Sequence, residues 1–89
     1  LQPLKRDFSF IVNNEVSAQT IIEAAKNSDN SLIKNVKIFD QFLNENNKSI
    51  AIEITIQPTD HTLTDHELEE ISLRVINSVE SATKGKLRS

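Results

Sequence analysis

The sequence contains no cysteine, so disulfides and thiolate metal sites are excluded and the redox compartment leaves no mark on the chain. Its single glycine argues against a phosphate-cradling loop. Methionine is missing altogether, which reads as a piece of a longer polypeptide, because a complete translated chain normally begins with one. No apolar run is long enough to span a bilayer, and no signal-peptide pattern is present. Positive charge is short as well. With 10 Lys and Arg against 13 Asp and Glu, the net charge is −3, which does not favour a generic grip on nucleic-acid phosphates. Any such contact must be local, or shared with other domains. The 89 residues make one small domain. A chain of that size buries only about 60–65% of its extended surface, so its core is one layer thick.

What is present is organised around the stretch from Lys48 to Leu68. Ile50, Ile52, Ile54 and Ile56 alternate with Ser49, Ala51, Glu53, Thr55 and Gln57. This period-two pattern of β-branched residues predicts a strand with one buried face. Pro58 lacks a ladder donor and ends it. Asp60 and His61 lie in the connection to a helix that starts at Thr64. Thr64 and Glu67 form a capping box, and Leu63 and Leu68 the matching hydrophobic staple.

The other elements follow in order. Leu1 to Leu4, with Pro3, read as a lead-in segment, and Lys5-Arg6-Asp7 as a charged cluster before the first strand. Phe8, Phe10 and Val12 share one face of that strand, and Asp7, Ser9 and Ile11 the other; five or six residues are expected. Asn13-Asn14 make the turn. Ser17 is the next N-cap, with Val16 and Ile21 as staple. Ala18, Ile21, Ile22 and Ala25 form a helical stripe that ends near Lys26 to Ser28. Leu32 to Leu43 is the second strand. Phe39 and Phe42 cannot share parity, so a bulge is expected near Phe39-Asp40. Asn44 to Asn47 is a polar hairpin loop. The last helix runs from Asp65 to about Ala82 with a core stripe of Leu68, Ile71, Val75, Val79 and Ala82. Asp65, Glu67, Glu69 and Glu70 in its first turns, and Lys84 beyond its end, suit the helix dipole. Gly85 is its expected stop, and Lys86-Leu87-Arg88 leave room for a short final edge strand.

Strand, helix, strand, strand, helix, strand is the ferredoxin-like split βαβ pattern, an α+β fold. Right-handed crossovers put the first and third strands at the centre of a four-stranded antiparallel sheet. Both helices then cover the face carrying Phe8, Phe10, Ile52 and Ile54. No helix remains for the face carrying Asp7, Ser9, Ala51, Glu53 and Thr55.

That uncovered face is the informative surface. Ser9 and Ala51, with Ser49 nearby, make a floor of small side chains, and such a floor edged by one aromatic can hold a flipped base. Phe42 is the candidate aromatic if the bulge turns it outward. From composition alone the favoured reading is an ordinary solvated face, with Phe42 in the core. Lys5-Arg6-Asp7 is a candidate phosphate contact, for which local ion pairing at a solvated strand start is the favoured account. His61 and His66 flank Asp65, but the spacing matches no standard metal site. Dipole complementarity explains Glu67, Glu69 and Glu70 better than acid–base chemistry does. There is no nucleophile–base constellation, so no catalytic residues and no enzyme active site are expected within the chain.

Taken together, these residues resemble a known family. The chain is similar to the C-terminal ferredoxin-fold anticodon-binding domain of the bacterial phenylalanyl-tRNA synthetase beta chain. The similarity rests on Lys5-Arg6-Asp7; on Val36, Phe39-Asp40 and Phe42; and on Lys48-Ser49 with Ala51. Thr62-Leu63-Thr64-Asp65, and Gly85 with Leu87-Arg88, complete the set. It covers nearly the whole chain, and the order and spacing of the motifs are more specific than any one of them.

The resemblance implies a single non-catalytic module, residues 1–89, cut from a longer chain. Its open sheet face would receive the anticodon of phenylalanine tRNA. Ser9, Phe42 and Ser49 would touch bases, with Arg6 and Lys48 near the RNA backbone. The module would hold no cofactor or metal; ATP and magnesium belong to the catalytic alpha chain. The remaining partner would be that alpha subunit, in a heterotetramer, and the location cytoplasmic. The chain departs from the family in three places. The loop after Phe42 is shorter and lacks glycine, Glu53 stands where a basic residue is common, and position 42 is phenylalanine rather than tyrosine. Two other readings use the same architecture: a small-molecule regulatory domain, and a protein-interaction module docking a partner on the open face or the final edge strand.

Overall fold

Strands β1 (Leu4–Asn13), β2 (Ile33–Leu43), β3 (Asn47–Ile56) and β4 (Lys86–Leu87) and helices α1 (Ala18–Asn27) and α2 (Asp65–Thr83) make up the computed structural model, which describes residues 1–88. The strands form one antiparallel sheet in the order β2-β3-β1-β4, so β1 and β3 are central as the connectivity requires. Phe8, Phe10 and Val12 of β1 and the four isoleucines of β3 point to one side. There they meet Ile21 and Ala25 of α1 and Leu68, Ile71, Val75 and Val79 of α2. Ile33 and Val36 of β2 complete the core, which is one layer thick, and the other side of the sheet is uncovered.

Each helix starts where its cap dictates. The Ser17 hydroxyl accepts from the Thr20 amide at 3.1 Å. At α2 both halves of the capping box are made: Glu67 N–H to Thr64 Oγ1 at 3.1 Å, and Thr64 N–H to Glu67 Oε1 at 3.0 Å. Leu68 is buried and Leu63 packs beside it, closing the staple. Thr64→Ala should therefore lower the stability of the domain by about 0.5–2 kcal/mol. A denaturant titration with an unchanged midpoint would count against this corner's structural role.

Three expectations need correction. β1 runs ten residues, not five or six, because Leu4 to Asp7 keep pairing with β3 out to Ile56. The Lys5-Arg6-Asp7 cluster is thus inside the strand, and its members alternate between faces. The last buried position of α2 is Thr83, not Ala82. Its hydroxyl donates to the Val79 carbonyl at 2.8 Å and accepts from the Gly85 amide at 3.0 Å, which lets a polar residue end an apolar stripe. The left-handed residue that stops α2 is Lys84, with φ 64°, and not Gly85. Gly85 is required for space instead. A Cβ there would lie 2.6 Å from the Ile11 carbonyl oxygen and 2.6 Å from a Val12 methyl.

The bulge in β2 is present. Ile38 pairs with Ile52 and Asp40 with Ala51, leaving Phe39 as the extra residue. A single extra residue exchanges the faces of everything after it. Val36 and Ile38 face the helices; Asp40 and Phe42 face the open side.

Candidate nucleic-acid interface

The open face can be read row by row from the strand register. Phe42, Ser49 and Ile11 lie side by side, with Lys86 at the edge of the row. Asp40, Ala51 and Ser9 form the next row, and Arg88 extends it, its backbone N–H donating to the Ser9 carbonyl at 2.6 Å. Lys37, Glu53 and Asp7 form the third. Cross-strand neighbours share a face and lie within reach of one another.

Phe42 is therefore not in the core. Its side chain is 66% exposed, directly across from Ser49. The structure thus settles the ambiguity about Phe42 in favour of the outward position. Phe39 is 51% exposed and borders a shallow depression of ≈ 170 Å³ together with Asp7, Phe8, Ser9 and Ala51. Enclosed small-molecule sites typically have about 300–1,000 Å³. This depression suits the edge of a flat group lying on the sheet better than an enveloped ligand. Two exposed phenyl rings and Ile11 beside a floor of Ser9, Ser49 and Ala51 give an apolar patch with hydroxyls set into it.

Ser9, Phe42 and Ser49 are brought together as expected. Arg6 and Lys48 are not. Arg6 stands across from Ile54 and Lys48 across from Val12, so both have the parity of the helix-covered face. They are also six strand positions apart, about 20 Å. Only Lys48 lies at the Phe42–Ser49 end of the sheet, paired with Leu43. The cation of the N-terminal cluster that reaches the open face is Lys5, 3.5 Å from Glu53. That pair accounts for an acid at position 53 without any ligand.

Two residues of the face had not been singled out as site residues. Asp40 becomes an open-face residue only through the bulge. Its Oδ1 accepts from the Gln41 amide at 2.9 Å. Arg88 arrives through β4, and its guanidinium donates to Ser49 Oγ at 3.3 Å. Nothing local in the sequence marks a residue after a two-residue strand as part of a site. The hairpin loop next to Phe42 closes without glycine, because Asn44 Oδ1 accepts from the Asn46 and Asn47 amides. Asn14 ties that loop to the β1–α1 turn through the Asn44 and Glu45 carbonyls.

The acidic corner at the start of α2 lies outside this face. His61 binds Asp60 through Nδ1 at 2.6 Å and Glu67 through Nε2 at 2.8 Å. Both ring nitrogens can donate only when the imidazole is protonated. Its pKa is accordingly raised from the ordinary 6.5, chiefly by the hydrogen bond to Glu67 and then by that to Asp60. Glu67 is lowered from 4.5, first by the Thr64 amide and then by His61. A raised histidine pKa stabilises the fold below 6.5 and loses that contribution as pH rises through the folded value; the lowered glutamate contributes above 4.5 and loses it on acidification. Thermal unfolding should therefore show wild type losing stability relative to His61→Gln as pH rises above 6.5. Parallel profiles would mean that the contact contributes nothing. Among the described residues no group of three or more His, Asp or Glu is arranged to hold a metal ion.

The family model for the ferredoxin-fold anticodon binding domain matches residues 1–88. The chain belongs to this family. Similar proteins are the phenylalanine–tRNA ligase beta subunits of Rhodospirillum rubrum, 45% identical over 99% of this chain; of Paramagnetospirillum magneticum, 42% identical over 99%; and of Brucella abortus, 44% identical over 98%. The chain spans only 12% of the length of the first two and 11% of the third. As an anticodon-binding domain it is a binding module, and the open face is the surface its fold leaves uncovered. Among the described residues no helix is long and apolar enough to cross a membrane.

Proposed function

We propose that this domain is the non-catalytic anticodon-binding module of a phenylalanine–tRNA ligase beta chain, and that its open sheet face holds the anticodon of phenylalanine tRNA. The observation that carries the reading is Phe42, two-thirds exposed and opposite Ser49 on an uncovered sheet face. The ring takes no part in the core cluster, and a base stacked on it would take it out of water. Ser9 and Ser49 supply hydroxyls beside the stacked base, Ala51 leaves room, and Asp40 offers an acceptor at the near edge. Lys48 lies at the same end of the sheet, where it can meet the RNA backbone. Arg6 would act only on a more distant phosphate.

On this reading residues 1–89 are one module of a larger cytoplasmic enzyme, joined to a catalytic alpha subunit in a heterotetramer by the rest of the beta chain. ATP and magnesium are used there, and this module needs no cofactor of its own. The test is titration of a labelled phenylalanine-tRNA anticodon stem-loop against the domain, beside unrelated stem-loops and free amino acids. Preferential, salt-sensitive binding of the cognate loop is expected, weak in absolute terms for a net charge of −3. The same preparation should neither hydrolyse ATP nor charge tRNA. Amino-acid binding without RNA binding, or aminoacylation by the domain alone, would overturn the reading.

A further inference from the structure

We propose that the groove between the lead-in segment and the β3–α2 corner is an intramolecular docking site, holding the stretch of the parent chain that leads into Leu1. The inference rests on the reading above only in taking this domain as one module of a longer chain. The groove measures ≈ 310 Å³ and is lined by Leu1, Gln2, Leu4, Pro58, Thr62 and Leu63. Three leucines and a proline make it apolar. Leu4 and Leu63 are only half-buried, packed against the core from outside it, and Leu1 is 63% exposed. The domain by itself thus leaves an apolar surface in water directly beside its core.

The lining bears on what fits there. No ionisable side chain lines the groove, and Gln2 and Thr62 are its polar members. Small-molecule sites fix their ligands with a few convergent polar groups, which this groove lacks. An apolar peptide segment needs none. Position then favours the parent's own chain. The domain spans only 12% of the length of similar beta subunits, so the rest of such a chain joins it before Leu1 or beyond Arg88. The Arg88 end lies on the open face, beside Ser9 and Ser49. The Leu1 end lies in the groove. Gln57 Nε2 donates to the Leu1 carbonyl at 3.1 Å, and the Gln57 backbone N–H donates to the Leu32 carbonyl at 2.8 Å. That clamp pins Leu1 to the end of the sheet. Each residue before it advances the chain by at most about 3.6 Å, so the first few start out within reach of the lining. A tethered segment also meets the groove at high effective concentration, which a separate partner does not.

Occupation of the groove would leave the RNA surface clear. Leu4 pairs with Ile56 and Ile11 with Ser49, so the groove and the Phe42 row lie near opposite ends of β1, about 23 Å apart. The parent chain would hold the module at its back end and so set the direction in which the open face points.

The experiment uses the intact parent synthetase without tRNA. A benzophenone photo-crosslinker is placed at position 62, and the attached peptide is located by mass spectrometry. Amide hydrogen exchange of the stretch preceding Leu1 is followed in wild type, Leu1→Asp and Thr62→Arg. Both variants put a charge in the groove at an exposed position outside the core cluster. The crosslink should fall on residues shortly before Leu1, and their amides should be protected. Each variant should speed their exchange about tenfold or more while leaving exchange in β1 and β3 unchanged. Crosslinking to the alpha subunit, to a second copy or to a distant part of the beta chain would overturn the inference. So would a wild-type stretch that exchanges like an unstructured peptide, or protection that survives both variants. Phe42→Ala, tested for tRNA binding on the same background, separates the two proposals. If it binds tRNA normally while the groove variants release the stretch, the anticodon-binding reading fails and the docking site stands. If it loses tRNA while the stretch is never protected, the docking site fails and the reading stands.

Discussion

Phe42→Ala in the parent synthetase should weaken binding of phenylalanine tRNA about tenfold or more while leaving amino-acid activation unchanged. An aromatic platform contributes roughly 1–3 kcal/mol per stacked base, and about 1.4 kcal/mol is a factor of ten. The substitution is clean in structural terms. The ring is two-thirds exposed and is not a member of the core cluster, so its removal opens no cavity. Ser9→Leu should act in the same direction by a different route, by raising a bump on the floor between Ala51 and Arg88. Filter binding or fluorescence titration of the two variant enzymes decides the matter. Wild-type tRNA affinity in folded Phe42→Ala enzyme would remove the stacking role.

Gly85→Ala should destabilise the domain by about 1–3 kcal/mol, the usual range for forcing an extra carbon into a packed site. One of the atoms in the way belongs to the backbone of a central strand, at Ile11, and cannot rotate aside. The accommodation that remains is for β4 to move off β1, which would also carry away Lys86 and Arg88. Thermal unfolding reads the first effect and tRNA affinity the second. A variant with wild-type melting temperature and wild-type affinity would show that β4 can shift without consequence.

The folding pattern was legible from side-chain alternation because the core is one layer and its residues are nearly all β-branched or phenylalanine. The isoleucines of β3 and the caps at Ser17 and Thr64 leave few alternatives. What could not be read was anything decided by register. Lys5 and Arg6 are adjacent in sequence and chemically alike. Only the pairing with Thr55 and Ile54 puts one on the open face and the other behind it. Phe42 was ambiguous for the same reason, since a bulge costs one residue and reverses a whole face. Gly85 misled because two demands on glycine, free φ and lack of a side chain, look identical in a sequence. Here Lys84 meets the first and Gly85 the second. Arg88 was invisible as a site residue because its place depends on pairing with β1, the element farthest from it along the chain.

The position of β2 at the margin of the sheet bears on how the module behaves in a crowded cell. One side of this eleven-residue strand has no neighbour in the sheet. Unpaired strand margins invite another chain to add itself, and this one is long enough to be a template. It is interrupted twice, between Ile33 and Asn35 and between Ile38 and Asp40, and carries Lys34, Lys37 and Asp40 along its length. An incoming strand would have to match both irregularities and bring these charges against its own. The irregularity that turns Phe42 outward for ligand thus also discourages self-association into fibres, and a straightened β2 would be both a poorer RNA binder and a more aggregation-prone one.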